Sequence, residues 1–75
     1  MALKEARERA GLSQNKLAEA SGVNASMIKY YEQGKKDING AKLKTLLTLC
    51  DTLGCGLRDI VTDEETLELL DKLNY

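Results

Sequence analysis

The sequence predicts an all-α fold: a compact five-helix domain followed by an additional C-terminal helix. Three observations carry that expectation. Proline is absent from the 75 residues, and the abundant Leu, Ala, Lys and Glu rank among the best helix formers. Apolar residues recur at spacings of three and four, the period of a helix buried on one side. Glycines 11, 22, 34 and 54 each follow such a stretch, where a helix end is expected. A chain of this length makes one domain at most, near the lower size at which a single core suffices. Trp and Phe are both absent, so the core must be aliphatic and built mainly from leucine.

Each element follows from its residues. Leu3, Ala6, Arg7 and Ala10 trace an amphipathic first helix closed by Gly11, with Leu12 packing back after the cap. Ser13 can cap a second helix that carries Leu17 and Ala18. Gly22 ends it, because only glycine takes the left-handed backbone without steric cost. Val23 is the apolar residue after the cap, and Asn24 can cap a third helix at once. The gap is too short for the second and third helices to lie antiparallel, so they must cross steeply. Ala18 keeps a small side chain where their backbones approach. This is the helix-turn-helix arrangement, whose second helix enters the DNA major groove.

A fourth helix is expected to begin near Asn39 or Ala41 and to bury Leu43, Leu46, Leu47, Cys50 and Leu53 on one stripe before Gly54 closes it. Leu57, Ile60 and Val61 make a short fifth. Thr62-Asp63-Glu64-Glu65 has the capping-box pattern, and Leu67, Leu69, Leu70 and Leu73 follow at helical spacing. The expected organisation is a DNA-binding domain over residues 1–61 and a helical extension over 62–75. The apolar side of that extension either folds back onto the domain or meets a second copy of the chain.

Leu12-Ser13-Gln14, Leu17-Ala18, Ser21-Gly22-Val23, Ile28, Tyr31-Glu32 and Gly34-Lys35, then Leu53-Gly54-Cys55 and Leu57, form an ordered set at fixed spacing. That set resembles the Cro and lambda-repressor-like (XRE-type) helix-turn-helix DNA-binding family, over about residues 3–61. The resemblance implies a lambda-repressor-like domain of five helices. One departure is the segment 36–41, a few residues longer than in many members.

Helical geometry divides the third helix into two faces. Met27, Ile28 and Tyr31 share one side and should enter the core; Ala25, Ser26, Lys29, Tyr30 and Gln33 share the other. About 100° of rotation separates Tyr30 from Tyr31, so Tyr30 is left outside. The resemblance implies that Ala25, Ser26 and Tyr30, with Lys29 beside them, face base edges. Ala25 can touch a thymine methyl, Ser26 can donate or accept a hydrogen bond, and Lys29 can donate to guanine O6 and N7. Tyr30 can pack on sugar or methyl while its hydroxyl reaches phosphate. The plainer alternative is a merely solvated helix face.

Gln14, at the first turn of the second helix, matches a glutamine that the family uses to bind phosphate beside free backbone N–H groups. Gln33, Lys35 and Lys36, just past the recognition helix, are the other phosphate candidates, and Lys42 and Lys44 extend the patch. Glu32 lies among them and should pair with a cation, Arg7 or Arg9.

The net charge is −1, which looks wrong for a DNA binder until it is divided. Residues 1–45 hold nine Lys or Arg against five Asp or Glu, a balance of +4, and residues 46–75 hold two against seven, a balance of −5. Binding to phosphate needs a local positive field rather than a positive total. Cys50 falls on an apolar stripe and reads as a core residue. With no histidine and only two cysteines, a structural zinc site would need a second chain, and no Ser-His-Asp triad or Cys-His pair can form. No cofactor or small-molecule ligand is expected. No apolar run approaches the roughly 20 residues of a membrane span, and charges interrupt the start where a signal peptide would be apolar. A cytoplasmic location follows.

The function expected is a sequence-specific DNA-binding transcriptional regulator. It would act as a repressor by occupying its site, and as a homodimer to which Leu67, Leu70 and Leu73 contribute. The competing reading is a protein-interaction module of the same fold, of the antitoxin or antirepressor type, which the acidic leucine-bearing tail favours.

Overall fold

The computed structural model describes residues 2–74; Met1 and Tyr75, the outermost residues of the two expected segments, lie outside the described residues. The helices are α1 (Ala2–Arg9), α2 (Gln14–Ser21), α3 (Ala25–Gln33), α4 (Leu43–Leu53), α5 (Leu57–Ile60) and α6 (Glu64–Lys72), with a single 3-10 turn at Ile38–Gly40. All regular structure among the described residues is helical. None of these helices is long and apolar enough to cross a membrane.

The helices end as the glycines dictate. After α1, Gly11 and Leu12 donate their N–H groups to Glu8 and Arg7 carbonyls, and after α4, Gly54 and Cys55 donate to Asp51 and Cys50. Each pair satisfies two carbonyls that the helix leaves open. Such closed ends let short helices stop abruptly and fold around one core. Leu17, Ile28, Leu49 and Ile60, one from each of α2 to α5, form its fully buried centre. Leu3 and Ala6 of α1, Tyr31 of α3 and Leu46, Cys50 and Leu53 of α4 surround it. α2 packs on α3 and α4, while α1 packs on α3 and α5.

Burial pushes the Cys50 thiol up to about 12, with the neighbouring Cys55 adding to the shift. Both cysteines are free. Cys50 is a core residue, as its place on the apolar stripe predicted.

Three expectations for the second half need correction. α4 begins at Leu43, not near Asn39 or Ala41, and Lys42 at its N-cap offers no side-chain bond. Asn39 sits instead in the 3-10 turn, where its Oδ1 accepts from the Thr62 and Asp63 N–H groups and its Nδ2 donates to Thr62 Oγ1. A residue able to cap a local helix is used to anchor a segment 23 positions away.

The second correction concerns the buried stripe of α4. It runs through Leu46, Leu49, Cys50 and Leu53, while Leu43 and Leu47 are 63% and 49% exposed. The helix is rotated so that Leu49, outside the expected set, takes the core. The third correction is the cap of α6. Asp63 rather than Thr62 caps it, accepting from both the N–H and the hydroxyl of Thr66. Those bonds hold the Asp63 carboxyl below its ordinary range.

α6 buries no residue fully. It is held by Leu67, which packs against the core, by Asn39 at its root, and by an exposed Arg58–Asp71 ion pair.

Candidate nucleic-acid interface

The turn between α2 and α3 is three residues long and is fixed by side chains at both ends. Ser13 caps α2, its Oγ accepting from the Lys16 N–H at 3.0 Å. Gly22, at φ 76°, ends α2 by donating to the Ala18 carbonyl. Ser21 closes the rest: its hydroxyl donates to the Leu17 carbonyl at 2.7 Å and accepts from the Val23 N–H at 3.1 Å. Asn24 then caps α3, accepting from the Ser26 N–H at 2.8 Å. Local bonds from Ser13, Ser21, Gly22 and Asn24 thus fix both helix ends and the turn between them.

The two faces of α3 divide as the periodicity predicts. Ile28 and Tyr31 are buried, and Met27 packs on the core. Ser26, Lys29 and Gln33 are exposed, Ala25 is half-buried, and Tyr30 is 38% exposed. Past the end of α3, the Gly34 N–H donates to Tyr31 and the Lys35 N–H to Tyr30, at 3.3 and 2.9 Å. The Lys36 N–H also reaches the Tyr30 carbonyl. This double closure turns the chain back over the outer face, so that Lys35 Nζ lies 5.8 Å from the centre of the Tyr30 ring. A cation over an aromatic face is attracted by the ring quadrupole. The ring and the Lys35 ammonium are therefore brought to the same end of the outer face, with the Lys36 backbone beside them.

Glu32 is the sole carboxylate of α3, and it is turned away from that face. Arg7 Nε donates to its Oε2 at 2.7 Å and Arg7 Nη2 to its Oε1 at 2.9 Å. A third bond runs from Arg7 Nη1 to the Leu12 carbonyl at 2.8 Å. The side chains are only 11% and 4% exposed, so this is a two-pronged ion pair inside the domain. Burial alone would push the Glu32 carboxyl up. The hydrogen bonds from Arg7 and Gln14, with the Arg7 and Lys4 charges, outweigh it and hold the group below its ordinary value. The same hydrogen bond raises the Arg7 guanidinium above its ordinary range. Arg7 is thus the cation that Glu32 required.

Gln14 Nε2 also donates to Glu32 Oε1, at 3.1 Å. One amide hydrogen is committed to the carboxylate, from a half-buried side chain at the first turn of α2. The sequence named Gln14 as a phosphate candidate without this anchor. Two further contributors were not legible as a set: Arg7 as the brace behind α3, and Ser21 as the clasp of the turn. Ser21 two residues before Val23 is a recognisable side-chain-to-backbone pattern. The Arg7–Glu32 contact spans 25 residues, and only the charge of Glu32 hinted at it.

The residues named for a dimer contact are divided. Leu67 faces the core. Leu70 and Leu73 join Leu57 and the exposed Leu43 and Leu47 around an apolar groove between α4, α5 and α6.

A helix-turn-helix family model matches residues 3–60. No curated protein and no solved structure matches the chain. The match spans the five helices that form the core and both helices of the corner, and the chain belongs to the Cro-type, XRE-like helix-turn-helix family of DNA-binding regulators.

Proposed function

We propose that the protein is a sequence-specific transcriptional repressor that binds duplex DNA as a homodimer, with α3 in the major groove. The observation that carries this reading is the outer face of α3, which presents hydrogen-bonding side chains and an aromatic ring with its one carboxylate buried. Ala25, Ser26, Lys29 and Tyr30 would meet base edges, where Lys29 suits guanine and Ala25 a thymine methyl. Gln14, Gln33, Lys35 and Lys36 would hold phosphates on either side and set the register of the helix. Gln14 would do so from a side chain held by its bond to Glu32.

One recognition helix covers only a few base pairs, so useful affinity calls for two. The domain measures 34 × 24 × 20 Å. Two copies in contact can therefore reach major-groove segments one turn, roughly 34 Å, apart. Repression by obstruction, in the cytoplasm, needs nothing more than occupancy of the site. Leu70 and Leu73 would contribute to the dimer surface, with Leu67 seating their helix.

The test is a titration of labelled duplex DNA at several salt concentrations. Neutralised phosphates release counterions, so log K should fall with log salt at a slope of roughly −4 per monomer. Absence of binding at low salt, or a flat response, overturns the DNA reading in favour of an interaction module of the antitoxin or antirepressor type.

A further inference from the structure

α4 carries a stripe that, apart from Lys44 at the edge of the expected phosphate patch, the DNA reading does not use. Lys44, Leu47, Thr48 and Asp51 fall at helical spacings of three and four on the side opposite the core, and with Leu43 they border one shallow depression. The half-exposed Leu47 lies near the middle of the stripe, with the cation toward the N-terminal end and the carboxylate toward the C-terminal end. Seven residues separate the charges, about 10 Å along the axis. Neither has an ion-pair partner among the described residues. The Thr48 hydroxyl donates to the Lys44 carbonyl at 2.7 Å, and that of Thr52 donates to the Thr48 carbonyl at 2.9 Å. The threonine on this stripe can therefore lose its water without stranding a donor.

From this pattern we infer that two copies pair through α4, antiparallel about a twofold axis between Leu47 and Thr48, with Lys44 of each copy against Asp51 of the other. The inference deepens the homodimer part of the proposed function and rests on that reading. A twofold contact must be complementary to itself: whatever one residue meets, its mate meets in return. A stripe with one positive and one negative end, and an apolar middle, meets that condition only in the antiparallel sense. The parallel sense sets like charges together. DNA does not suit the stripe, since Leu47 and Asp51 stand in it. The pairing also covers Leu43, whose other side opens on the groove with Leu57, Leu70 and Leu73, and thereby extends the contact to α6.

The experiment is sedimentation equilibrium on the full chain without DNA, comparing wild type with Lys44→Asp and Asp51→Lys. Both residues are exposed, and circular dichroism checks that the helices remain. Each single reversal places like charges together twice per dimer and should weaken association roughly tenfold. An equimolar mixture of the two single variants should regain it, because in the mixed dimer both charge pairs become opposite again. The double variant should also return to within about threefold of wild type. Single variants that dimerise like wild type, or a mixture no stronger than its components, overturn the α4 pairing while leaving a homodimer by another face. A wild-type chain that stays monomeric up to high micromolar concentration overturns both.

Discussion

α3 and α4 are built alike and turned to the solvent differently. Each buries leucine-sized or aromatic side chains along one side, and each ends at a glycine closed by two backbone bonds. Outside, α3 shows Ser26, Lys29, Tyr30 and Gln33 without a carboxylate, whereas α4 shows Leu47 between one cation and one carboxylate, with Leu43 beside them. A face with hydrogen-bond donors, a cation and an aromatic ring but no carboxylate suits a polyanion. A face that is apolar and charge-balanced suits a copy of itself. Net charge, −1 for the whole chain, therefore says little about partners. What matters is which carboxylates are turned inward, and on α3 that decision is made by Arg7.

The largest effect should come from removing that decision. Glu32→Ala leaves the Arg7 guanidinium buried without its carboxylate, and breaking a buried pair in this way costs roughly 3–5 kcal/mol. For a domain of this size that approaches the whole stability. Urea titration should show partial or full unfolding at neutral pH, and Glu32→Leu combined with Arg7→Met should recover much of the loss. Acid should act on the same pair. The folded-state value of Glu32 lies below its ordinary 4.5, so its contribution is complete above about 4.5 and disappears as pH falls through the folded value. In an already apolar double variant that part of the acid sensitivity should be gone. A wild-type-like acid slope there would place the sensitivity elsewhere.

A smaller effect separates reading from holding on the α3 side. Ser26→Ala and Lys29→Ala should change which sequence is preferred, at roughly 1–3 kcal/mol for one base pair, whereas Lys35→Ala should weaken all sequences about equally. Selection from random duplexes followed by affinity measurement distinguishes the two. Unchanged preference in both base-face variants would mean that α3 reads through other side chains.

The smallest effect is expected on α4. Thr48→Val removes a hydroxyl already bonded to its own helix, so dimer affinity should stay within about threefold of wild type. The same kind of deletion at Ser26 is expected to alter specificity. A large loss at Thr48 would show that its hydroxyl bonds across an interface and that the apolar account of α4 is wrong.

The first half of the chain was more legible than the second, for a physical reason. Around α2 and α3 the determinants are local: Ser13, Ser21, Gly22 and Asn24 bond within four residues, and the Tyr30-Tyr31 pair forces one ring out. The position of α4 depends on contacts no local pattern contains. Leu43, Leu46, Leu47, Cys50 and Leu53 all fit one broad stripe, and only packing against α2 and α5 shows that Leu49 belongs in the core and Leu43 and Leu47 do not. Asn39 looked like a cap because asparagine caps well, but its bonds run to Thr62 and Asp63. Glu32 was readable as needing a cation, though the choice of Arg7 over Arg9 required the fold. At the candidate interface the exposed face of α3 followed from periodicity, while the brace behind it did not.

The Cys50 thiol, buried and raised to about 12, has a consequence for the conditions under which such a regulator can work. Burial disfavours the thiolate, which is the form that reacts with peroxides, disulfides and alkylating agents. Cys50 sits on the same helix as the stripe assigned to pairing, so modifying it would wedge that helix away from the core. Its protonated, enclosed state makes α4 chemically quiet. Of the two free cysteines it is the half-buried Cys55, not Cys50, that stands nearer the solvent and would meet such reagents first.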